Sequence, residues 1–141
     1  MLTTIIQYIS AQPAERQKIL TAIHTIVAEQ DKTVVPVVEL MMGKEMIVYK
    51  AKGSMKYALA SVSKYMSLHL LPMYGSPILL AKFKALLRKA AFQKGCINFK
   101  TEDEMPLEVV TQLIADCSPI DLLKIREEYL QQKKEKAKAK R

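Results

Sequence analysis

The sequence predicts an α+β fold in which an antiparallel sheet of about four to five strands is packed by N- and C-terminal helices. Near both ends of the chain, apolar residues recur at the spacing of an amphipathic helix. Between them, three short segments typical of strands follow one another, and the second and third of them alternate. Such consecutive strands form an antiparallel meander, because parallel strands need longer connections. The chain has 141 residues, 50% hydrophobic and 26% charged, which is typical of one globular domain.

Two helices are predicted at the N-terminus. Leu2, Ile5 and Ile9 share one face of a first helix, because they recur at helical spacing. Pro13 is placed to open a second helix, since the first turn of a helix needs no amide from proline. The apolar residues after Pro13 also recur at helical spacing, so the second helix has one apolar face. Both helices are expected to pack on the sheet through their apolar faces.

Three further helices are predicted after the meander. Ser76-Pro77 has the pattern of a helix start, with a capping hydroxyl followed by proline in the first turn. Apolar spacing extends this helix to Ala90. A second helix follows Pro106, and Pro119 separates it from a last helix that begins at about Ile120.

Four short strands are predicted in the middle of the chain. They are Met46–Lys50, Tyr57–Ser63, Met66–Leu71 and Cys96–Lys100. Residues 33–38 are rich in valine and indicate extended chain before them. Alternation puts Leu68 and Leu70 on one face of the sheet and Ser67 and His69 on the other.

The domain organisation follows from these elements. A single α+β domain is predicted over residues 1–118, and residues 119–141 are predicted to hold the last helix with a basic tail. The final residues are rich in lysine, with Glu135 as their one acid, so we expect this tail to be disordered.

Charge is unevenly distributed along the chain. The formal net charge is +8, and no acidic residue lies between Glu45 and Glu102. That interval holds ten basic residues, Lys50, Lys52, Lys56, Lys64, Lys82, Lys84, Arg88, Lys89, Lys94 and Lys100. They form either a solvated surface or a surface for an anionic partner. Nucleic acid is a conceivable partner, but no motif of base recognition supports it.

No motif of a known enzyme class is found. The four glycines are isolated, so there is no phosphate-binding glycine loop. Cys96 and His69, both predicted in strands of one sheet, are a conceivable nucleophile–base pair. A small core residue is the simpler interpretation of Cys96. We therefore expect a protein without catalytic activity.

The only acidic cluster is Glu102, Asp103 and Glu104. Acids ahead of a helix complement its dipole, which explains the cluster without a metal ion. No apolar run approaches the ~20 residues that span a bilayer. The first ten residues lack the basic start of a secretory signal, and two cysteines give no disulfide framework. We expect a cytoplasmic protein with no membrane partner.

Several short motifs occur within this order of helices and strands, and together they resemble a known family. They are Gly43, Lys52-Gly53, the run Tyr57-Ala-Leu-Ala-Ser-Val-Ser-Lys-Tyr65, Ser67-Leu-His69, Lys94-Gly-Cys-Ile-Asn-Phe-Lys100 and Met105-Pro-Leu107. With them the chain resembles the YdhG-like family of small bacterial domains over roughly residues 2–116. The resemblance implies an α+β fold with helices on an antiparallel sheet. It also implies a possible frataxin-like role, because some members are described as iron chaperones.

The leading hypothesis is a non-enzymatic cytosolic binding protein of the YdhG-like family, without a cofactor, that takes a small or anionic ligand or an acidic protein partner. The predicted ligand-binding residues are Tyr49, Tyr65, His69, Lys82, Lys84, Arg88, Lys89 and Lys94. One alternative is an iron chaperone, whose metal would be bound through Glu102, Asp103 and Glu104. Another is an assembly role through the last helix. A monomer or weak dimer is expected.

Overall fold

The structure, a computed structural model, describes residues 2–93 and 95–139. Its helices are α1 (Thr3–Ser10), α2 (Ala14–Gln30), α3 (Leu71–Tyr74), α4 (Pro77–Leu86), α5 (Leu107–Cys117) and α6 (Leu122–Ala139). Its strands are β1 (Val35–Met41), β2 (Lys44–Ala51), β3 (Ser54–Ser61), β4 (Met66–Leu70), β5 (Ala91–Gln93) and β6 (Cys96–Phe99). The strands form one antiparallel sheet in the order β1-β2-β3-β4-β6-β5. The predicted α+β class is confirmed.

The sheet of the described residues has six strands rather than four to five, and the additional strands lie at its edges. The valine-rich segment forms β1, where Pro36 is tolerated because an edge strand needs fewer ladder hydrogen bonds. β5 was not predicted, because the apolar spacing extended the preceding helix to Ala90. Instead α4 ends at Leu86, and Phe92 pairs with Ile97 in a short hairpin with β6.

One face of the sheet is covered by helices. Residues from α1, α2, α4 and α5 pack there against alternate strand residues such as Ile47, Leu59 and Leu68. α2 and α5 also pack against each other over this face. The buried side chains include Ile5, Leu20, Ile23, Phe83, Leu113 and Ile114. This layer is the main hydrophobic core, and its burial is the main force that stabilises the fold.

The opposite face lacks the layer of helices that covers the first face. A second, smaller apolar cluster lies there, formed by Met46, Val48, Ala58 and Ala60. The partly buried residues packed against it, Val37, Met41 and Met55, also come from strands. No helical residue of the described chain belongs to this cluster, so we call this side the open face.

Two tight turns and one bulge shape the meander. The turns Met42-Gly43 and Lys52-Gly53 have positive φ at both positions, the geometry of two-residue hairpin loops that matches strand twist. Between β2 and β3 the register shifts, because Lys56 is an extra residue opposite β2. The bulge lets Lys56 and Tyr57 both reach Asp31 at the end of α2 on the covered side.

α6 is a helix of different character. It follows Pro119, and Asp121 accepts a hydrogen bond from the Lys124 amide at 3.0 Å as the helix begins. No residue of α6 is buried, and the helix runs through the lysine-rich segment to Ala139. In residues 2–93 and 95–139, none of the helices combines the length and the apolar character needed to cross a bilayer.

Candidate functional site

A groove of about 570 Å³ crosses the open face from the β1–β2 turn to β5 and β6. It is lined by Met41, Met42, Lys44, Met46, Ala60, Val62, Tyr65, Ser67, His69, Gln93, Cys96 and Asn98. These residues come from every strand of the sheet and from its turns. The groove therefore depends on the whole sheet being assembled, and we take it as the candidate ligand-binding site.

Small side chains on the central strand create the groove. Ala60 of β3 lies opposite Ser67 of β4, and Ser67 lies opposite Asn98 of β6. On the other side of β3, Met46 belongs to the same apolar cluster as Ala60. Ala60 and Ser67 thus place two short side chains next to each other, with the longer Met46 beside them on β2. Because side chains stand nearly perpendicular to a sheet, a row of short ones leaves a trough between taller neighbours.

The floor of the groove carries a polar cluster on β4 and β6. The Ser67 hydroxyl donates to the Asn98 side-chain oxygen at 2.8 Å. Nε2 of His69 lies 3.5 Å from the same hydroxyl. Burial lowers the pKa of His69 below its ordinary value of 6.5, so the imidazole is neutral at pH 7. The cluster therefore offers uncharged donors and acceptors to a ligand.

The end of the groove at the β3–β4 turn is held by a residue from α2. Nη1 of Arg16 donates to the Ser61 hydroxyl at 2.9 Å and to the Tyr65 carbonyl at 3.3 Å. The Val62 carbonyl accepts from the same nitrogen. Val62 and Tyr65 line the groove, so Arg16 is a positioning residue. This role of Arg16 could not be predicted from the sequence, because a basic residue on the polar side of a helix is ordinarily solvent-exposed.

Cys96 and His69 are register partners on neighbouring strands, as their predicted places in one sheet allowed. The Cys96 thiol, however, faces amide oxygens, with Gln93 Oε1 at 4.0 Å and Asn98 Oδ1 at 3.9 Å. Nε2 of His69 has Ser67 as its neighbour. In the described residues the thiol and the imidazole share no hydrogen bond, so this arrangement lacks the geometry of an activated nucleophile.

The predicted binding residues do not all converge. Tyr65 and His69 both line the groove. Tyr49 does not, because it lies on the covered face, is fully buried and shares a 2.8 Å hydrogen bond with Nδ1 of His24. Placing Tyr49 on the same sheet face as His69 is therefore corrected. Its hydroxyl stays protonated, since burial raises its pKa.

Four of the predicted basic residues, Lys82, Lys84, Arg88 and Lys89, lie outside the groove lining. Lys82 pairs with Asp116 at 2.6 Å, and Lys89 pairs with Asp103 at 2.7 Å. The ammonium of Lys84 lies 6.0 Å from the Phe92 ring centroid.

The other two predicted basic residues of this region are Arg88 and Lys94. The Arg88 side chain donates to the Ala85 carbonyl at 3.3 Å, so it bends back onto α4. Lys94 lies outside the described residues. The cation that does line the groove is Lys44, at the start of β2, which sequence reasoning did not single out.

The acidic cluster forms one turn of 3₁₀ helix, Glu102–Glu104. Glu104 accepts a hydrogen bond from the Lys100 amide at 2.9 Å, and Asp103 pairs with Lys89. Local backbone and lysine contacts thus occupy two of the three carboxylates. Across residues 2–93 and 95–139, no three side chains among His, Cys, Asp and Glu are grouped to hold a metal ion.

Comparison with known proteins found no relative of this chain. No protein-family model matches the chain, no curated protein matches it, and no solved structure matches it. The resemblance to the YdhG-like family stays a prediction from the quoted motifs.

Proposed function

We propose that this chain is a non-enzymatic binding protein whose open-face groove holds a small amphipathic molecule with a negatively charged group. The observation that carries the proposal is the groove itself, which is about 570 Å³ in volume and is lined by residues from the strands and the turns between them. Volumes of this order are typical of small-molecule sites.

The lining supports an amphipathic ligand. Met41, Met42 and Met46 supply a flexible apolar wall, and methionine adapts to ligands of irregular shape. Ser67 and Asn98 supply hydrogen-bonding groups on the floor across from that wall. A molecule with one apolar side and one polar side satisfies both walls at once.

Lys44 supports the negative charge. It is exposed at the groove and takes part in none of the ion pairs found among the described residues. The one groove-side acid on the neighbouring strand, Glu39, is paired with Lys50. The net charge of +8 adds a long-range attraction for anions.

The test uses 1-anilinonaphthalene-8-sulfonate, an amphipathic anion whose fluorescence rises in apolar surroundings. We expect saturable binding to the native protein. Ala60→Leu puts a larger side chain on the floor of the groove. It should weaken binding of the probe about tenfold or more, because the leucine occupies volume that the probe needs. Ala85→Leu, on the exposed surface of α4, is the matched control and should leave binding unchanged.

Thermal unfolding of each variant distinguishes loss of the groove from loss of the fold. Equal affinities of the Ala60→Leu and Ala85→Leu proteins, with both still folded, would remove the groove as the binding site. Lack of saturable binding to the unaltered protein would do the same.

A second candidate function rests on α6. Ile125, Tyr129 and Leu130 are 53%, 62% and 46% exposed on a helix that buries none of its residues. Pairing of α6 with a second copy would cover them and make a weak dimer. Sedimentation of the chain truncated after Ser118 tests this: an association constant equal to that of the full chain excludes it. The iron-chaperone alternative stays a prediction from the resemblance, since no carboxylate arrangement in the described chain supports it.

A further inference from the structure

A second pocket of about 240 Å³ lies between the β2–β3 turn, the β3 bulge and the connection from α5 to α6. Its lining residues are Thr33, Ala51, Lys52, Ser54, Met55, Lys56, Ser118, Pro119, Ile120, Asp121, Leu122 and Leu123. None of them lines the open-face groove, so the two cavities are separate. Most of the walls are apolar, and α6 closes one side with its first turn.

A buried ion pair forms the polar end of this pocket. The Lys56 ammonium lies 2.7 Å from the Asp31 carboxylate, and their side chains are 3% and 0% exposed. Burial alone would raise the pKa of Asp31, but hydrogen bonds from Lys56, Thr33 and Tyr57 outweigh it and hold that pKa below its ordinary value. The Asp31 carboxylate is therefore charged at pH 7 and lies directly beside the Lys56 side-chain nitrogen.

The two members of the pair differ in how much of their hydrogen-bonding capacity is used. Asp31 accepts from the Thr33 amide at 3.0 Å, the Thr33 hydroxyl at 2.5 Å and the Tyr57 hydroxyl at 2.7 Å, besides Lys56. Its two oxygens are thus saturated. The Lys56 ammonium has three N–H groups and uses two of them, on Asp31 and on the Ser118 carbonyl at 2.9 Å. The third N–H has no acceptor among the contacts of the described residues; Lys56 lines the pocket, and its ammonium lies 5.6 Å from the Tyr57 ring centroid.

From this geometry we infer that the pocket is a binding site for a small neutral molecule with a hydrocarbon body and one hydrogen-bond-accepting oxygen, such as a ketone, an ester or an alcohol. The apolar walls take the hydrocarbon, and the spare N–H of Lys56 takes the oxygen. A carboxylate is disfavoured, because Asp31 already balances the lysine charge and a second anion there would be buried without a counter-charge.

The mouth of the pocket has its own closing contact. Lys52, in the β2–β3 turn, pairs with Asp121 at 2.7 Å as α6 begins. Both residues line the pocket. The pair is solvent-exposed, so breaking it to admit a ligand should cost little.

Methionine methyl NMR tests the inference in the full chain. Met55 lines this pocket and Met46 lines the groove, so one spectrum of protein labelled at the methionine methyl carbons reports on both cavities. We expect 2-octanone to shift the Met55 signal saturably and to leave Met46 unchanged. Octanoate, of equal chain length, should bind here at least about tenfold more weakly.

Two variants complete the test. Ile120→Trp fills the pocket and should abolish the Met55 response to 2-octanone, whereas Leu130→Trp, farther along the exposed helix, should preserve it. Lys56→Met combined with Asp31→Asn removes the spare donor without leaving a buried charge and should weaken 2-octanone binding about tenfold.

The inference is overturned if octanoate binds as tightly as 2-octanone, if Ile120→Trp leaves the Met55 response intact, or if Met55 shows no saturable response. Should the double variant fail to fold, the comparison of the two probes and the Ile120→Trp protein still decide. Failure here leaves the groove proposal standing, since that proposal is read from Met46 and from a different probe.

Discussion

The two faces of the sheet are built from alternate residues of the same strands, yet they serve different ends. On the covered face, His24 and Tyr49 share a hydrogen bond in a region packed by helices. On the open face, Ala60 and His69 line a groove that strand and turn residues alone enclose. The covered face is filled by large side chains from helices and strands, whereas on the open face the short side chains of Ala60 and Ser67 leave a groove beside longer ones such as Met46.

This contrast indicates that the residues that stabilise the fold and the residues that would bind a ligand lie on different faces of the sheet. A buried side chain that loses its partner leaves an unpaired group in an apolar layer, which is costly. The more exposed groove residues, Lys44 and Tyr65, are instead reached by water. Substitutions on the covered face should therefore change folding, and substitutions on the open face should change binding. The predictions that follow compare matched residues on the two faces.

The largest effect is expected for the two lysine–carboxylate pairs. Lys56→Met leaves Asp31 buried and unpaired on the covered side and should destabilise the protein by about 3–5 kcal/mol in urea unfolding. Lys50→Met breaks the partly exposed pair with Glu39 on the open face and should cost under about 1 kcal/mol. Equal losses would contradict the contrast between the faces.

The next effect concerns two tyrosines. Tyr49→Phe removes the hydroxyl that pairs with buried His24 and should cost about 1–3 kcal/mol of unfolding free energy. Tyr65→Phe, at the groove, should stay within about 0.5 kcal/mol of the unaltered protein. Urea denaturation measures both, and a larger loss for Tyr65→Phe would reverse the assignment of faces.

The pH dependence of stability is the third comparison. Burial lowers the pKa of His24 and of His69, so each binds a proton more readily in the unfolded chain. Their contribution to stability is complete above the unfolded value of about 6.5 and is lost as the pH falls below it toward the folded values. Replacing each histidine with Gln should flatten the unfolding free energy between pH 6.5 and pH 5. Asp31, whose pKa is lowered, contributes above about pH 3.9 and loses its contribution only below it. An unchanged slope in the protein lacking both histidines would contradict this account.

The smallest effect concerns charge at the groove. Lys44→Ala should weaken binding of 1-anilinonaphthalene-8-sulfonate roughly two- to fivefold at low salt, with the difference shrinking as salt rises. Lys84→Ala, on α4 and away from the groove, should leave affinity unchanged. An equal loss for Lys84→Ala would favour the basic helix that the sequence suggested.

The fold class and the faces of β4 could be predicted from the sequence, because Leu68 and Leu70 alternate with Ser67 and His69. The faces of β2 could not. Met46, Ile47, Val48 and Tyr49 are all apolar or aromatic, so alternation gives no preference and Tyr49 was assigned to the groove side. Which residues of β2 meet the helices is decided by strand register.

Other features also depend on tertiary contacts. β5 exists because Phe92 pairs with Ile97, and its three residues are too few to show a period. The Lys56 bulge has no local sequence signal, since its cause is the contact with Asp31. The groove depends on Ala60 lying beside Ser67, a pairing that composition and periodicity do not contain.

We propose that the open face holds the ligand. The most direct measurement is a methionine methyl spectrum of the full chain titrated with 1-anilinonaphthalene-8-sulfonate. Saturable shifts of Met41, Met42 and Met46, with Met73 and Met105 on the covered side unmoved, are the predicted result. Shifts confined to Met55, or shifts of the buried Met73 and Met105 without Met46, would contradict it.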